Sequence, residues 1–258
     1  MIRSDRVGSV TTITVDRPER RNAIDRSAAA ALAAAVRAAD ADPDTDVLIV
    51  TGAGGTFCAG ADLKAVASES SVEAPLLTAD GDAPLGVGRL HTLKPVIAAI
   101  EGFAVAGGLE LALWADLRVC SEDATLGVFC RRVGVPLIDG GTVRLPRLIG
   151  MGRALDLILT GRPIGASEAL SWGLVDRVTL AGGALAAAQD LAAALAAFPQ
   201  RCLRADLASA RAAFDAPTPS ALRAEFLRGV PVVTDEGVAG ATRFSNGDGR
   251  HGRGMEDG

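Results

Sequence analysis

The sequence predicts an α/β fold with a largely parallel sheet, followed by a helical C-terminal part. Three observations predict it. Short apolar strands alternate with helical segments up to about residue 181, the pattern of βαβ crossovers. Two segments, VLIVTGAGGTFCAGADLK and PVIAAIEGFAVAGGLELAL, repeat one design of strand, glycine-rich turn and helix. After Ala181 the chain is almost all helix and rich in alanine, the strongest helix former.

Taken in order, residues 9–16 (SVTTITVD) read as a strand because β-branched residues crowd it. RPERRNAI is a loop, and Asp25 is placed to cap a helix over about 27–39. ADPDTD interrupts the chain. DVLIVTG has the unbroken apolar run of a strand buried on both faces. A glycine-rich loop then leads into a short helix from about Asp62. Residues 67–83 are polar and mixed, which predicts a mobile surface loop placed to cover a site, and 84–93 read as helix. PVIAAIEG is a second buried strand, GGLELALWAD a helix and DLRVCSE a third short strand. The pattern is helical from Gly140 to Gly161, with a short strand at 175–178. Helices are expected at 183–197, 200–214, 218–229 and 235–243, with Pro217 and Pro219 marking a break. The expected organisation is a core over 1–181, a helical region over 182–247 and a flexible tail over 248–258.

Composition narrows the function. The 258 residues are 49% apolar and 22% charged, a globular balance with a large core. Aromatics are only 3%, so Ala, Leu, Val and Ile must build that core. A net charge of −5 argues against a general nucleic-acid grip, which needs a basic face. The four cysteines, Cys58, Cys120, Cys130 and Cys202, form no CxxC pair, so no metal site or redox motif is expected, only reduced thiols. MIRSDRVGSV has no apolar signal core, and no apolar run reaches membrane length. A soluble, cytoplasmic protein without membrane association is the expectation. With His91 and His251 as the two histidines and no GxSxG elbow, a Ser-His-Asp hydrolase is poorly supported. Gly52 and Gly54 fit the start of a dinucleotide fingerprint, but its third glycine falls on Phe57, and the fingerprint fails.

The two glycine-rich turns carry the chemistry. The first N–H groups of a helix have no partner inside it and lie at the positive end of its dipole. Two such turns at one edge of a parallel sheet can aim two N–H donors at one oxygen that gains negative charge. Preset donors of this kind are worth a few kcal/mol each to a transition state.

FCAGADL and GFAVAGGLELAL resemble the two signature loops of the enoyl-CoA hydratase/isomerase (crotonase) superfamily. RPERRNAI resembles its N-terminal CoA-contacting stretch. ATLGVFCRRVGVPLIDGGTVRLPRLIG and LTGRPIGASEALSWGLVDRV resemble its third conserved region. The likeness runs in order from about residue 9 to 180. It implies a crotonase-type spiral of ββα turns with a helical C-terminal region that supports a homotrimer or a hexamer, as a dimer of trimers. It also implies an acyl-CoA substrate and no cofactor beyond the coenzyme A that the substrate carries. Residue by residue, it implies an oxyanion hole from the backbone N–H groups of Ala61 and Gly107, and a catalytic acid/base at Glu110. It places a substrate pocket at Cys130, Leu63 and Gly108, and CoA contacts at Arg20, Arg21, Ala23, Ala59, Asp62 and Leu63.

The sequence departs from the family at one point. Laid without gaps, the second Glu of family hydratases falls on Cys130. An Asp that many isomerases carry falls on Ile138, one residue from Asp139. A thiol of ordinary pKa is a poor base at neutral pH. Three readings therefore stay open: a 2-enoyl-CoA hydratase with Glu110 as principal acid/base, an isomerase or other proton-transfer enzyme using Glu110 or Asp139, and an acyl-CoA-binding homologue of low activity. Plainer roles stand beside these. Glu110 on an otherwise apolar helix is unusual, since Glu is rarely buried unpaired. Asp62 reads as a first-turn carboxylate favoured by the helix dipole. Asp139, before Gly-Gly and a helix, reads as either an N-cap or a catalytic acid. Cys58 and Cys120 read as small core residues, and Cys130 as pocket lining.

Overall fold

Continuous apolar runs become the centre of the main sheet. The structure, a computed structural model, describes residues 1–67 and 77–246. Most of the loop expected at 67–83, and the tail with His251, lie outside the described residues. The strands are β1 (Ile2–Val7), β2 (Val10–Val15), β3 (Val47–Gly52), β4 (Val96–Ile100), β5 (Phe103–Val105), β6 (Leu117–Ser121), β7 (Thr125–Gly127), β8 (Ile164–Gly165) and β9 (Arg177–Thr179). Six of them form one sheet in the order β1-β2-β3-β4-β6-β9. Only the β1–β2 hairpin is antiparallel; every other pairing in this sheet is parallel. β4 is buried along its whole length, as a parallel strand covered on both faces must be.

β4 and β6 each hand the chain to a shorter strand, β5 and β7, and β3 is followed by the bridge at Cys58. β5, β7 and β8 make a second, three-stranded sheet, and a parallel bridge from Cys58 to Ala104 extends it. The repeating unit is thus a long strand, a short strand and a helix. This is the ββα spiral that the resemblance implies. Strand β1 and the second sheet were not among the sequence expectations. β1 carries charges and is mostly exposed, and β8 spans only two residues, so neither leaves a hydrophobic pattern.

The helices of the first compact unit, Met1–Leu195, are α1 (Arg26–Ala41), α2 (Leu63–Ala67), α3 (Gly107–Trp114), α4 (Gly141–Ile149), α5 (Met151–Thr160), α6 (Ala166–Trp172) and α7 (Ala184–Ala196). Asp25 caps α1 as expected, accepting from Ala28 N at 2.9 Å. Glu101 accepts from Gly182 N and Ala184 N and holds the start of α7. Residues 84–93 are turns rather than the expected helix. A Cβ on Gly86 would lie 2.3 Å from Ala29 O, and one on Gly88 would lie 2.7 Å from Asp139 O. The chain passes its neighbours there too closely for side chains.

The second unit, from Ala196 onward, contains α8 (Gln200–Ala212), α9 (Thr218–Val232), a π turn (Val233–Gly237) and α10 (Val238–Asn246). Glu236 accepts from Arg201 N and Cys202 N, which satisfies two orphan donors at the start of α8. The π turn lets the chain run from α9 into α10 where the sequence suggested a gap. Among the described residues no helix is long and apolar enough to cross a membrane.

Candidate active site

Close backbone packing brings the two signature loops together. A Cβ on Gly60 would sit 2.7 Å from Gly107 N, and one on Gly108 would sit 2.0 Å from Cys58 O. Only glycine permits that approach. Two backbone hydrogen bonds to Ile24 flank Ala61: Gly60 O accepts from Ile24 N at 2.8 Å and Asp62 N donates to Ile24 O at 2.9 Å. Gly107 is the first residue of α3. Among the described residues neither the Ala61 N–H nor the Gly107 N–H has an acceptor. Ala106, just before Gly107, has φ 56° and ψ −126°, a strained conformation for a residue with a Cβ. Its own N–H donates to Gly127 O at 2.8 Å and anchors it. That backbone setting aims the Gly107 N–H.

Glu110 lies one turn into α3 and is 3% exposed. Its Oε1 accepts from Asp139 N at 2.9 Å and from Gly141 N at 2.8 Å. Gly141 opens α4, so Glu110 occupies a helix N-terminus from a distant part of the chain. Burial pushes its carboxyl up to about 7. The Gly141 and Asp139 N–H groups oppose that shift, and the Asp139 charge adds to it. A carboxyl near 7 exists in both forms at neutral pH, as a group that takes and gives protons must.

Asp139 is not the N-cap of α4. Gly140 holds that position, in left-handed backbone. The Asp139 carboxylate turns the other way, and its Oδ1 accepts from Leu85 N at 2.9 Å. Burial also raises this carboxyl above its ordinary range, against the Leu85 N–H and the charges of Arg89 and Arg144. Arg144 clamps the loop by donating to Asp139 O at 3.0 Å and Gly88 O at 2.6 Å. Cys130 is buried, and its thiol is raised by burial and then by the Glu110 charge. A raised thiol is a weaker base still.

These groups share a cavity of about 590 Å³. Ala61, Gly107, Glu110, Cys130 and Asp139 all line it, and so do Ala59 and Leu63. Gly108 lies behind that wall, packed on Cys58. Several lining residues carry no assignment from the sequence. Leu85 fixes Asp139 through a backbone N–H, and Phe129, Arg132, Val133, Val135 and Pro136 form a wall from within the segment that resembles the third conserved region, though the resemblance assigns only Cys130 of that wall to the pocket. Only the G-x-G at 86–88 hinted that the chain turns tightly beside the site.

The N-terminal stretch is tied to the first signature loop. Asn22 is fully buried, and its amide donates to Ala53 O and Thr56 O. Arg17 donates to Ala23 O at 2.7 Å and pairs with Asp25. Arg20 pairs with Asp62 at 2.6 Å. Asp62 Oδ1 accepts from Lys64 N and Ala65 N, so it is the cap of α2. Although burial alone would raise it, the Arg20 bond and these N–H groups hold its carboxyl below the usual range. Arg21 is exposed.

Among the described residues, two N–H groups without acceptors, a buried carboxyl near 7 and a second raised carboxyl line one apolar cavity, an arrangement that can polarise a carbonyl oxygen and move protons beside it. The comparisons name the family. A family profile described as Enoyl-CoA hydratase/isomerase matches residues 5–230. The chain is 36% identical over 249 residues to enoyl-CoA hydratase EchA19 of Mycobacterium tuberculosis, covering 93% of this chain and 92% of that one. It is 40% identical over 195 residues to the carnitinyl-CoA dehydratase of Salmonella typhi, covering 72% and 71%. Among solved structures, enoyl-CoA hydratase EchA1 from Mycobacterium marinum superposes with a TM-score of 0.88 at 33% identity over 95% of both chains. The chain therefore belongs to the enoyl-CoA hydratase/isomerase family, in the crotonase superfamily. It is a crotonase-type enzyme whose substrate is a CoA thioester.

Proposed function

We propose that this enzyme is a 2-enoyl-CoA hydratase with Glu110 as principal acid/base and Asp139 as the second carboxylate. The observation that carries the reading is that both carboxylates are buried, raised and line one cavity with the two unpaired N–H groups. The thioester oxygen would accept from Ala61 N and Gly107 N. That polarisation makes the β-carbon electrophilic and stabilises the enolate that follows. Hydration then needs one group to take a proton from water as its oxygen attacks the β-carbon, and one to deliver a proton to the α-carbon. Asp139 supplies the carboxylate that Cys130 does not. No cofactor is required beyond coenzyme A in the substrate. Ala59 and Leu63, at the cavity, and Arg20, Arg21, Ala23 and Asp62, on the adjoining loop, are assigned to CoA contacts.

The same reading places the enzyme in the cytoplasm as a trimer or a dimer of trimers. Exposed Leu222, Phe226 and Phe244 on the C-terminal helices, with Phe214 in the turn after α8, support an association surface. Sedimentation of the purified chain tests the assembly.

The activity is tested with a panel of 2-enoyl-CoA esters, followed by loss of the conjugated enoyl absorbance. Turnover that disappears in Glu110→Gln supports the reading. Gain of that absorbance from 3-enoyl-CoA esters, without hydration, would establish the isomerase instead, a second reading that the pocket position of Asp139 also accommodates. Tight binding with no turnover of either class would leave a binding protein.

A further inference from the structure

Among the described residues, one cation, Arg132, stands in the cavity wall. Apart from Glu110 and Asp139, the lining side chains are apolar except for Cys130 and Arg132. Arg132 is held in place. Its Nε and Nη2 donate to Gly161 O at 3.1 and 2.7 Å. Its Cζ lies 3.9 Å from the centre of the Phe129 ring, a second wall residue. Both hydrogen bonds use one edge of the guanidinium fork. Among the described residues Nη1 has no acceptor and the guanidinium has no carboxylate partner. The cations that act on Asp139 are Arg89 and Arg144.

Arg132 is exposed, so its charge stays in contact with solvent, while the two bonds to Gly161 O and the Phe129 ring hold its long side chain in one place at a cost in rotamer entropy. A ligand oxyanion arriving at Nη1 would gain a charge-assisted hydrogen bond without ordering that side chain again. Stacking on Phe129 already sets the plane of the fork, so little further ordering is needed on binding.

We propose that Arg132 binds an anionic group of the substrate, either a terminal carboxylate on the acyl chain or a phosphate of coenzyme A. The proposal rests on the reading of the cavity as the acyl-CoA site. It makes Arg132 a specificity-determining residue on the exposed part of an otherwise apolar cavity wall, and in the carboxylate case a polar acyl tail is recognised there.

Saturated esters test it without any dependence on turnover. Wild type, Arg132→Gln and Arg132→Lys are titrated calorimetrically with hexanoyl-CoA, adipoyl-CoA and the matching pantetheine thioesters, which lack the phosphates. Shorter and longer pairs, butanoyl with succinyl and octanoyl with suberoyl, are run in parallel. If the anion is on the acyl chain, wild type prefers the dicarboxylic ester, and Arg132→Gln lowers that preference about 10- to 100-fold in both CoA and pantetheine forms. If the anion is a phosphate, Arg132→Gln weakens both CoA esters by such a factor and neither pantetheine ester. Arg132→Lys retains part of the effect in either case, since it keeps the charge and loses the fork. Equal changes for all four ligands of a pair set, or no change for any, overturn the proposal. Enoyl absorbance measured on the same preparations reports on the hydratase reading separately.

Discussion

Replacing Glu110 with Gln separates the two consequences of burying that carboxyl. The Gln carbonyl can still accept from Asp139 N and Gly141 N, so the local geometry is expected to persist. What disappears is the titration. Below about 4.5, the ordinary value, the wild-type carboxyl is protonated in both folded and unfolded chains. Between there and about 7 the unfolded chain ionises while the folded one keeps its proton, so stability falls as pH rises. Above about 7 the full difference is present, roughly 3 kcal/mol on the scale of 1.36 kcal/mol per pKa unit. Glu110→Gln removes this loss. Urea unfolding of both proteins at pH 5, 6, 7 and 8 reads it directly, because most other titrating groups cancel in the difference. The variant's advantage should be about 1 kcal/mol or less at pH 5 and grow to about 3 kcal/mol at pH 8. Turnover should fall by at least about 100-fold at every pH, the usual contribution of a positioned acid or base. An advantage that stays constant across this range would refute the burial argument, and full activity in the variant would refute the role.

Other substitutions probe the remaining parts. Asp139→Asn keeps an acceptor for Leu85 N and should lower kcat about 100-fold, with saturated acyl-CoA affinity little changed. It also removes a charge that raises Glu110, so the residual kcat/KM profile against pH should move to lower pH. Gly108→Ala puts a Cβ 2.0 Å from Cys58 O and should cost about 3 kcal/mol in urea unfolding, because backbone rather than a flexible side chain must yield. Ala106→Gly relieves the positive φ and should gain about 1 kcal/mol, the strain less the added entropy of glycine in the unfolded chain. The same change should reduce kcat/KM, since the Gly107 N–H is no longer aimed.

What the sequence reveals and what it hides follow from the physics of each element. β3 and β4 are legible because strands covered on both faces must be apolar throughout. The signature turns are legible because the close approach of Gly60 to Gly107 tolerates no side chain. Cys58 and Cys120, read as core residues, are both fully buried. The exposed charges of β1 and the two residues of β8 carry no comparable pattern. At 84–93 spacing that suggests a helix is overruled by contacts to Ala29 and Asp139, which no local signal encodes. Asp139 was ambiguous for the same reason. Its partner is Leu85, 54 residues away, so sequence context left the cap, which Gly140 in fact provides, and the catalytic acid equally open.

The link between Glu110 and Asp139 bears on how a site of this kind can do without a Glu at position 130. The backbone N–H of Asp139 donates to Glu110, while its side chain is turned and held by Leu85. One residue thus fixes the first carboxylate and presents the second to the same cavity. The two are coupled, because the Asp139 charge raises Glu110. In such a pair one member tends to hold a proton while the other is ionised, which is the division of labour that addition of water requires. Cys130, with its own thiol raised beside Glu110, contributes neither charge nor base strength to that division. If the enzyme is the hydratase proposed above, it needs two carboxylates of unequal protonation around one polarised thioester, and the turn before α4 can supply the second as well as the segment that carries Cys130.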